Sequence, residues 1–463
     1  MTAGRPRGPR GPTRRPPSGR ARADPSGGRA EPPRGRGRRT GPTTARDVAL
    51  AALERVDGGA YANLVLPALL ARSGLAPGDR AAATDLVYGS LRLRGALDFA
   101  LRPLSRQPLE RLEPLVLRGL RLGAYELLFG GTAAHAAVAE TVGAVARAGH
   151  RGQAGYVNAV LRRLAAAPPA WPDPATDPAG WATTRGSHPA WVVAEVLARL
   201  GPAELVALVE ADNARPLVTL RATPGRATRD QLLAELAAGG VAARPSPLSP
   251  DCLLLERGDP GELAAVQDGR AVVQDAASAL VAPAVGAGPG DLVAELAAGP
   301  GGKAGHLAAL GARVLAVERQ PGRARLVAET ARRLGVADRL HTVVGDGRRP
   351  PLRSGEADAV LVDAPCTNLG SLRRPEARWR HGPEDLPGLV ELQLGLLEAA
   401  ADAVRPGGTV CYSVCTWTRA ETEGVVDELL ERRPDLRLEE ARQRWPHRDG
   451  ADGMFVARLF KVR

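Results

Sequence analysis

From about Gln274 onward the chain alternates short β-rich runs with helical segments, and this alternation restricts the fold more than any other property of the sequence. Leu292 to Leu296, Val314 to Glu318, Leu340 to Val344, Ala359 to Asp363 and Thr409 to Ser413 read as strands. Strands joined through helices run parallel, so the pattern predicts a Rossmann-like, doubly wound parallel sheet covered by helices. Ligands of such sheets sit at the carboxyl ends of the strands, and the chemistry-bearing residues are sought there.

At 463 residues the chain is too long for one ordinary core, and the pattern before Gln274 differs. Thr44 with Asp47 three residues on predicts a helix start. Ala49, Ala52, Leu53 and Val56, and later Leu117, Leu120, Ala124, Leu127 and Leu128, follow helical spacing. Nothing up to Leu164 alternates like a strand, which predicts an all-α domain over residues 44–165. Residues 166–270 read as a linker, Pro168 to Pro178, followed by a small α+β module. Its expected elements are helices at Trp191 to Leu200 and Asp230 to Ala238 and strands at Leu217 to Arg221 and Cys252 to Glu256. Residues 271–463 form the sheet domain. The architecture is therefore α plus α/β, in several domains.

The net charge of +11 is concentrated in residues 1–43, where twelve Arg face only Asp24 and Glu31. A segment of that Arg/Pro/Gly-rich tail such as Arg5-Pro6-Arg7-Gly8-Pro9-Arg10 has no apolar residues to offset chain entropy, and the tail is expected to be disordered with Arg available to phosphates, or to serve only solubility. No run qualifies as a signal peptide or membrane span. Four cysteines without paired spacing suit a reducing cytoplasm. Cys411 and Cys415 are four residues apart without a second pair or a His cluster, so no metal site is expected.

The first strand runs into Ala297-Ala298-Gly299-Pro300-Gly301-Gly302-Lys303, and a helix follows. Small residues let backbone N–H groups approach a ligand at the helix N-terminus. The turn lacks the spacing of a phosphate-binding loop, which disfavours ATP. Acids close the neighbouring strands: Glu318, suited to ribose hydroxyls; Asp346, suited to an adenine amino group; and Asp363. Adenosine without a pyrophosphate fits this set, which selects S-adenosylmethionine. Of the 62 Lys plus Arg only Lys303 and Lys461 are lysine, so the lysine in this turn points to a role Arg cannot fill. Two further residues, Cys366 in Asp363-Ala364-Pro365-Cys366 and Cys415 in Ser413-Val414-Cys415-Thr416, end two of the parallel strands and can face one substrate.

Ala134-His135-Ala136-Ala137-Val138 and Gly155-Tyr156-Val157-Asn158-Ala159-Val160-Leu161-Arg162 resemble the NusB-like helical bundle, which is used to bind RNA. Ala297 to Lys303, Asp363 to Cys366 and Ser413 to Thr416 resemble the RNA (cytosine-5)-methyltransferases, and with the NusB-like part the Sun (RsmB, NOL1/NOP2) group that acts on 16S ribosomal RNA. The likeness runs from about Thr44 to Arg458. It implies that Cys415 adds to C6 of the cytosine, that Cys366 assists release, and that Asp363 hydrogen-bonds the base, with Lys303 as a local charge. It also implies a cytoplasmic, monomeric enzyme that binds ribosomal RNA and no membrane. The sequence departs from the family pattern at Glu295 (usually Asp), Gly299 (usually Ala) and Thr367-Asn368 (commonly Ser-Gly), and in a segment before Trp379 that is one residue short. Alternatives are another RNA such as tRNA and a non-catalytic RNA-binding assembly factor. A small-molecule methyltransferase and a DNA cytosine methyltransferase are disfavoured.

Overall fold

Seven α-helices fill residues 45–166 in the computed structural model, which describes residues 44–149 and 151–462. The Arg-rich tail lies outside the described residues. Thr44 caps the first helix, Ala45–Asp57: its hydroxyl accepts from Asp47 N (3.2 Å), and the Asp47 carboxylate accepts from Thr44 N (3.1 Å). The helices close on a core that includes Val48, Ala49, Leu97, Leu120, Ala124, Val157 and Leu161. At Gly89 the Tyr125 ring occupies the space a Cβ would take, so the ring packs directly on the backbone of the facing helix.

The segment before Pro178 has no regular structure, yet it is packed. Trp171 lies 5.5 Å from the Phe99 ring and 6.3 Å from Phe129, and the Arg185 guanidinium covers Phe129 at 4.4 Å. Three helices follow, Pro178–Thr183, Ala190–Leu200 and Pro202–Asn213. They share one core with Leu369, Leu372, Trp417 and Trp445 of the C-terminal domain. The small sheet comes next, with strands β1 (Val218–Ala222), β2 (Ala243–Pro245), β3 (Cys252–Leu255) and β4 (Ala271–Val273) in the antiparallel order β2-β3-β1-β4. Strands β2 and β4 were not expected, because three residues are too few to display a period of two. Strand β4 begins after residue 270 yet pairs with β1, so the small sheet closes at Val273.

The C-terminal sheet has seven strands: β5 (Leu292–Leu296), β6 (Arg313–Glu318), β7 (Leu340–Val344), β8 (Ala357–Asp363), β9 (Val404–Val414), β10 (Leu436–Arg444) and β11 (Met454–Lys461). Their order is β10-β11-β9-β8-β5-β6-β7. The five expected strands pair in parallel, whereas β11 joins β9, and β10 joins β11, antiparallel. The sheet is thus mixed and not wholly parallel. Strand β10 escaped detection because its sequence, Leu-Arg-Leu-Glu-Glu-Ala-Arg-Gln-Arg, is almost entirely exposed at an edge and has no apolar face to alternate. After β7 the chain returns to the other side of β5, and this reversal opens the crevice beside the β5 and β8 carboxyl ends. Among the described residues no helix is long and apolar enough to cross a membrane.

Candidate active site

The Gly-rich turn leaves β5 with Ala297 at φ 70° and Gly301 at φ 97°, and the helix Gly302–Ala309 starts directly after it. The Gly299–Pro300 peptide is cis. Ala298 N donates to Val317 O (3.0 Å) and Gly301 N to Ala298 O (2.7 Å), so the turn is held by its own backbone and the neighbouring strand. Thr330 Oγ1 donates to Pro300 O (3.3 Å). Glu318, buried at the end of β6, accepts from Gly299 N (2.9 Å) and Gln320 N (2.8 Å). Asp346 is paired with Arg348 (2.7 Å), which holds its carboxyl down at about 2. Lys303 projects from the first helical turn to Asp363 Oδ2 (2.7 Å), and Ser413 Oγ donates to Asp363 Oδ1 (2.7 Å). The Asp363 side chain stays 29 % exposed, which leaves lone pairs available.

Cys366 and Cys415 converge. Their sulfurs are 3.5 Å apart, in hydrogen-bond contact and well beyond the ~2.05 Å of a disulfide. Their environments push them in opposite directions. Cys415 is held below the usual thiol range, first by the hydrogen bond from Cys366 and then by the Arg374 and Lys303 cations, against burial and the Asp363 charge. Cys366 is pushed well up by the same hydrogen bond, by burial, and by the negative charges of Cys415 and Glu421. As a thiol, Cys415 also donates to Asn368 Oδ1 (3.1 Å), so its neutral and ionised forms have different partners. Cys411 is fully buried four residues, or two pleat repeats, before Cys415, and burial pushes it up to about 12, as expected of a packing residue.

Residues 285–460 match the family model of 16S rRNA methyltransferases RsmB/F. Residues 43–166 match the NusB family, and residues 188–260 match a ferredoxin-like domain of RsmF/B-like methyltransferases. The ribosomal RNA small subunit methyltransferase B of Thermus thermophilus is 39 % identical over 433 residues, covering 90 % of this chain and 98 % of that protein. The chain belongs to the RsmB/F family of 16S rRNA methyltransferases. A Mycobacterium tuberculosis protein named as a methyltransferase is 43 % identical, over 93 % of this chain and 99 % of its own length. The crystal structure of PH0851 shares the fold, with a TM-score of 0.81 at 23 % identity over 90 % of this chain and 99 % of that one.

The methyl donor of an RsmB/F enzyme is S-adenosylmethionine, and the residues present fit it. Glu295, 1 % exposed at the end of β5, keeps one carboxylate oxygen without a hydrogen-bond partner. Burial and the nearby Asp363 push its carboxyl well up. A Cβ at Gly347 would lie 2.8 Å from Leu396 Cδ2 and 3.2 Å from Leu296 Cβ, so the wall of the crevice admits only a backbone there. The departures from the RsmB/F pattern also find reasons. Asn368 adopts φ 60°, the left-handed conformation that Asn tolerates best after Gly. Thr367 keeps the hydroxyl of the usual Ser and donates it to Glu421. At Gly299 a Cβ would lie 2.5 Å from Glu318 Oε2, 2.8 Å from Arg323 Nε and 2.9 Å from Arg323 Cβ, so the glycine suits the packing of this chain.

Three residues absent from the sequence-based set complete the site. Arg374 donates to Asp452 Oδ2 (2.8 Å) and contributes positive charge at Cys415. Glu421, fully buried, binds the residues that follow both cysteines. Arg378 is also fully buried. It donates to Arg92 O (2.9 Å) in the helical domain, to Ser187 O (3.1 Å) between the first two middle helices, to Asn213 Oδ1 (2.9 Å) at the end of the third, and to Leu372 O (3.4 Å) in its own loop. Burial pulls it down to about 10. For Glu421 a local signal exists, since Thr418-Arg419-Ala420-Glu421 has capping-box spacing. For Arg378 there is none.

Proposed function

We propose that the chain transfers a methyl group from S-adenosylmethionine to C5 of a cytosine in 16S ribosomal RNA through a bond between Cys415 Sγ and C6. The observation that carries this reading is the 3.5 Å approach of two thiols with oppositely displaced ionisation. Cytosine C5 is a poor nucleophile. Addition of the Cys415 thiolate to C6 moves the C5–C6 π pair to C5, which can then attack an electrophilic methyl group. S-adenosylmethionine supplies that group when bound. Asp363 accepts from the exocyclic amine, and N3 takes a proton from water on addition, which balances the charge driven into the ring and is returned to water when the C5=C6 bond re-forms.

After transfer, C5 carries both a methyl group and a hydrogen. Cys415 is now a neutral thioether, so the leading cause of the raised Cys366 ionisation has gone, and Cys366 can give its proton to water. The resulting thiolate takes the C5 proton. The C–H pair becomes the C5=C6 double bond, the S–C6 pair returns to Cys415, and the product leaves. The base must be unpaired or flipped from its stack to reach these sulfurs.

The remaining assignments belong to the same proposal. Glu318 holds the ribose, Asp346 meets the adenine amine once Arg348 swings away, and the 297–303 turn lies along the rest of the cofactor. Residues 44–165 bind RNA, residues 166–270 link the two ends of the chain, and residues 271–463 carry out transfer, in a cytoplasmic monomer. The test is Cys366→Ala with S-adenosylmethionine and unmodified 16S rRNA on a denaturing gel. A protein–RNA adduct that disappears in Cys366→Ala/Cys415→Ala is expected. Active wild type with no adduct in Cys366→Ala would overturn the roles given to the two sulfurs.

A further inference from the structure

The two cysteines lie on differently supported segments. Cys415 follows β9 directly, and β9 is paired on both sides, with Val414 opposite Phe455 of β11. Cys366 lies three residues beyond the end of β8 and has no strand to hold it. Next to Cys366 its loop is tied most densely by one carboxylate, besides the bonds of Ala364 N to Ser413 O (3.0 Å) and Gly370 N to Cys415 O (2.9 Å). Glu421 Oε1 accepts from Thr367 N (2.9 Å), and Oε2 accepts from Thr367 Oγ1 (2.5 Å). The same carboxylate accepts from Thr416 Oγ1 (3.3 Å), Thr418 Oγ1 (2.9 Å) and Gln393 Nε2 (3.1 Å). Gln393 Nε2 also donates to Pro365 O (2.9 Å), and Tyr412 OH to Glu421 O (2.7 Å). Five donors around a fully buried carboxylate thus join the residues after Cys366 and after Cys415 in one rigid unit.

We infer that Glu421 is a positioning residue for the release step: by binding the Thr367 amide and hydroxyl together with the Thr416 hydroxyl, it holds the Cys366 sulfur where it can reach the C5 proton. The inference rests on the covalent reading above. Glu421 touches no reacting atom. Its charge also makes Cys366 more basic once ionised, which suits a group that must abstract a carbon-bound proton. Loss of Glu421 loosens the segment next to Cys366, whereas β9, which leads into Cys415, keeps its strand pairing. Addition to C6 and methyl transfer therefore continue while elimination slows. The C5 proton stays on carbon, the S–C6 bond stays closed, and the enzyme remains attached to methylated RNA.

The experiment uses full-length Glu421→Gln, Glu421→Ala and Thr367→Val, each with S-adenosylmethionine and unmodified 16S rRNA, beside wild type and Cys366→Ala. Misplacing a reacting group by about 1 Å costs about a hundredfold, so turnover of Glu421→Ala should fall by about that factor. Adduct should accumulate although Cys366 is present, and Glu421→Ala/Cys415→Ala should give none. Thr367→Val, which removes one bond to the hub, should accumulate less adduct and decides the matter if the Glu421 variants do not fold. Adduct in Cys366→Ala but none in folded Glu421 variants, with turnover lost, would overturn the inference alone. Adduct in neither would overturn the covalent reading together with it.

Discussion

The cofactor turn, residues 297–303, and the thiol loop, residues 366–379, sit at the same end of one sheet but are built in opposite ways. The turn is held by neighbours close in sequence or on the adjacent strand, through Gly301 N to Ala298 O, Ala298 N to Val317 O and Gly299 N to Glu318 Oε2. The thiol loop is held from several distant places. Glu421 binds Thr367, Gly370 N donates to Cys415 O (2.9 Å), and Gly453 N donates to Gly370 O (2.7 Å). Arg373 reaches Asp275 and Asp452, and Arg378 spans the helical domain and the middle helices. A ligand common to many enzymes is met by a self-sufficient element. The two thiols are met by a loop bonded to parts of the chain far from it in sequence.

The sharpest way to break this contrast is Arg378→Met. It leaves buried carbonyls from three segments unpaired and should cost about 3 kcal/mol or more, read as a lower denaturation midpoint. Methyl transfer should fall with it, while cofactor affinity by calorimetry stays within about twofold because the turn is remote from the loss. A matching fall in cofactor affinity would show that the two regions are one unit. Gly301→Val is the reciprocal change. Its φ of 97° and the approach of a Cβ to 2.9 Å from Val327 Cα predict strain of about 1–2 kcal/mol and roughly tenfold weaker cofactor binding. Adduct formation should recover at saturating cofactor.

Lys303 belongs to both regions, since it stands on the turn but bonds Asp363 and lowers the ionisation of Cys415. Lys303→Met removes a cation that favours the thiolate, so the Cys415 ionisation moves up. The acid limb of the pH–rate profile should shift to higher pH, with transfer at pH 7 slower by about an order of magnitude. A limb that moved to lower pH, or stayed in place, would remove Lys303 from the ionisation of Cys415. The smallest effect is expected from Asn368→Gly, because both residues accept the observed φ of 60°. Stability should change by no more than about 1 kcal/mol, whereas Asn368→Val should lose more.

What the sequence determined by itself is what depends on short range. Strand periods placed β5 and β7 to the residue and β6, β8 and β9 to within a few, and Thr44 with Asp47 announced its own capping box. The turn from Ala297 to Lys303 could be read because small residues and a lone lysine carry their meaning without neighbours. Only the tertiary structure decided the rest. It paired the exposed, charged β10 with β11, and it packed Trp171 into a segment that composition marks as a linker. It brought Cys366 to 3.5 Å from Cys415 across 49 residues of chain. It also made Glu421, Arg374 and Arg378 part of the site. The physical reason is that periodicity and turn chemistry act over a few residues, whereas the ionisation of a thiol and the burial of a charge are set by whatever the finished fold places beside them.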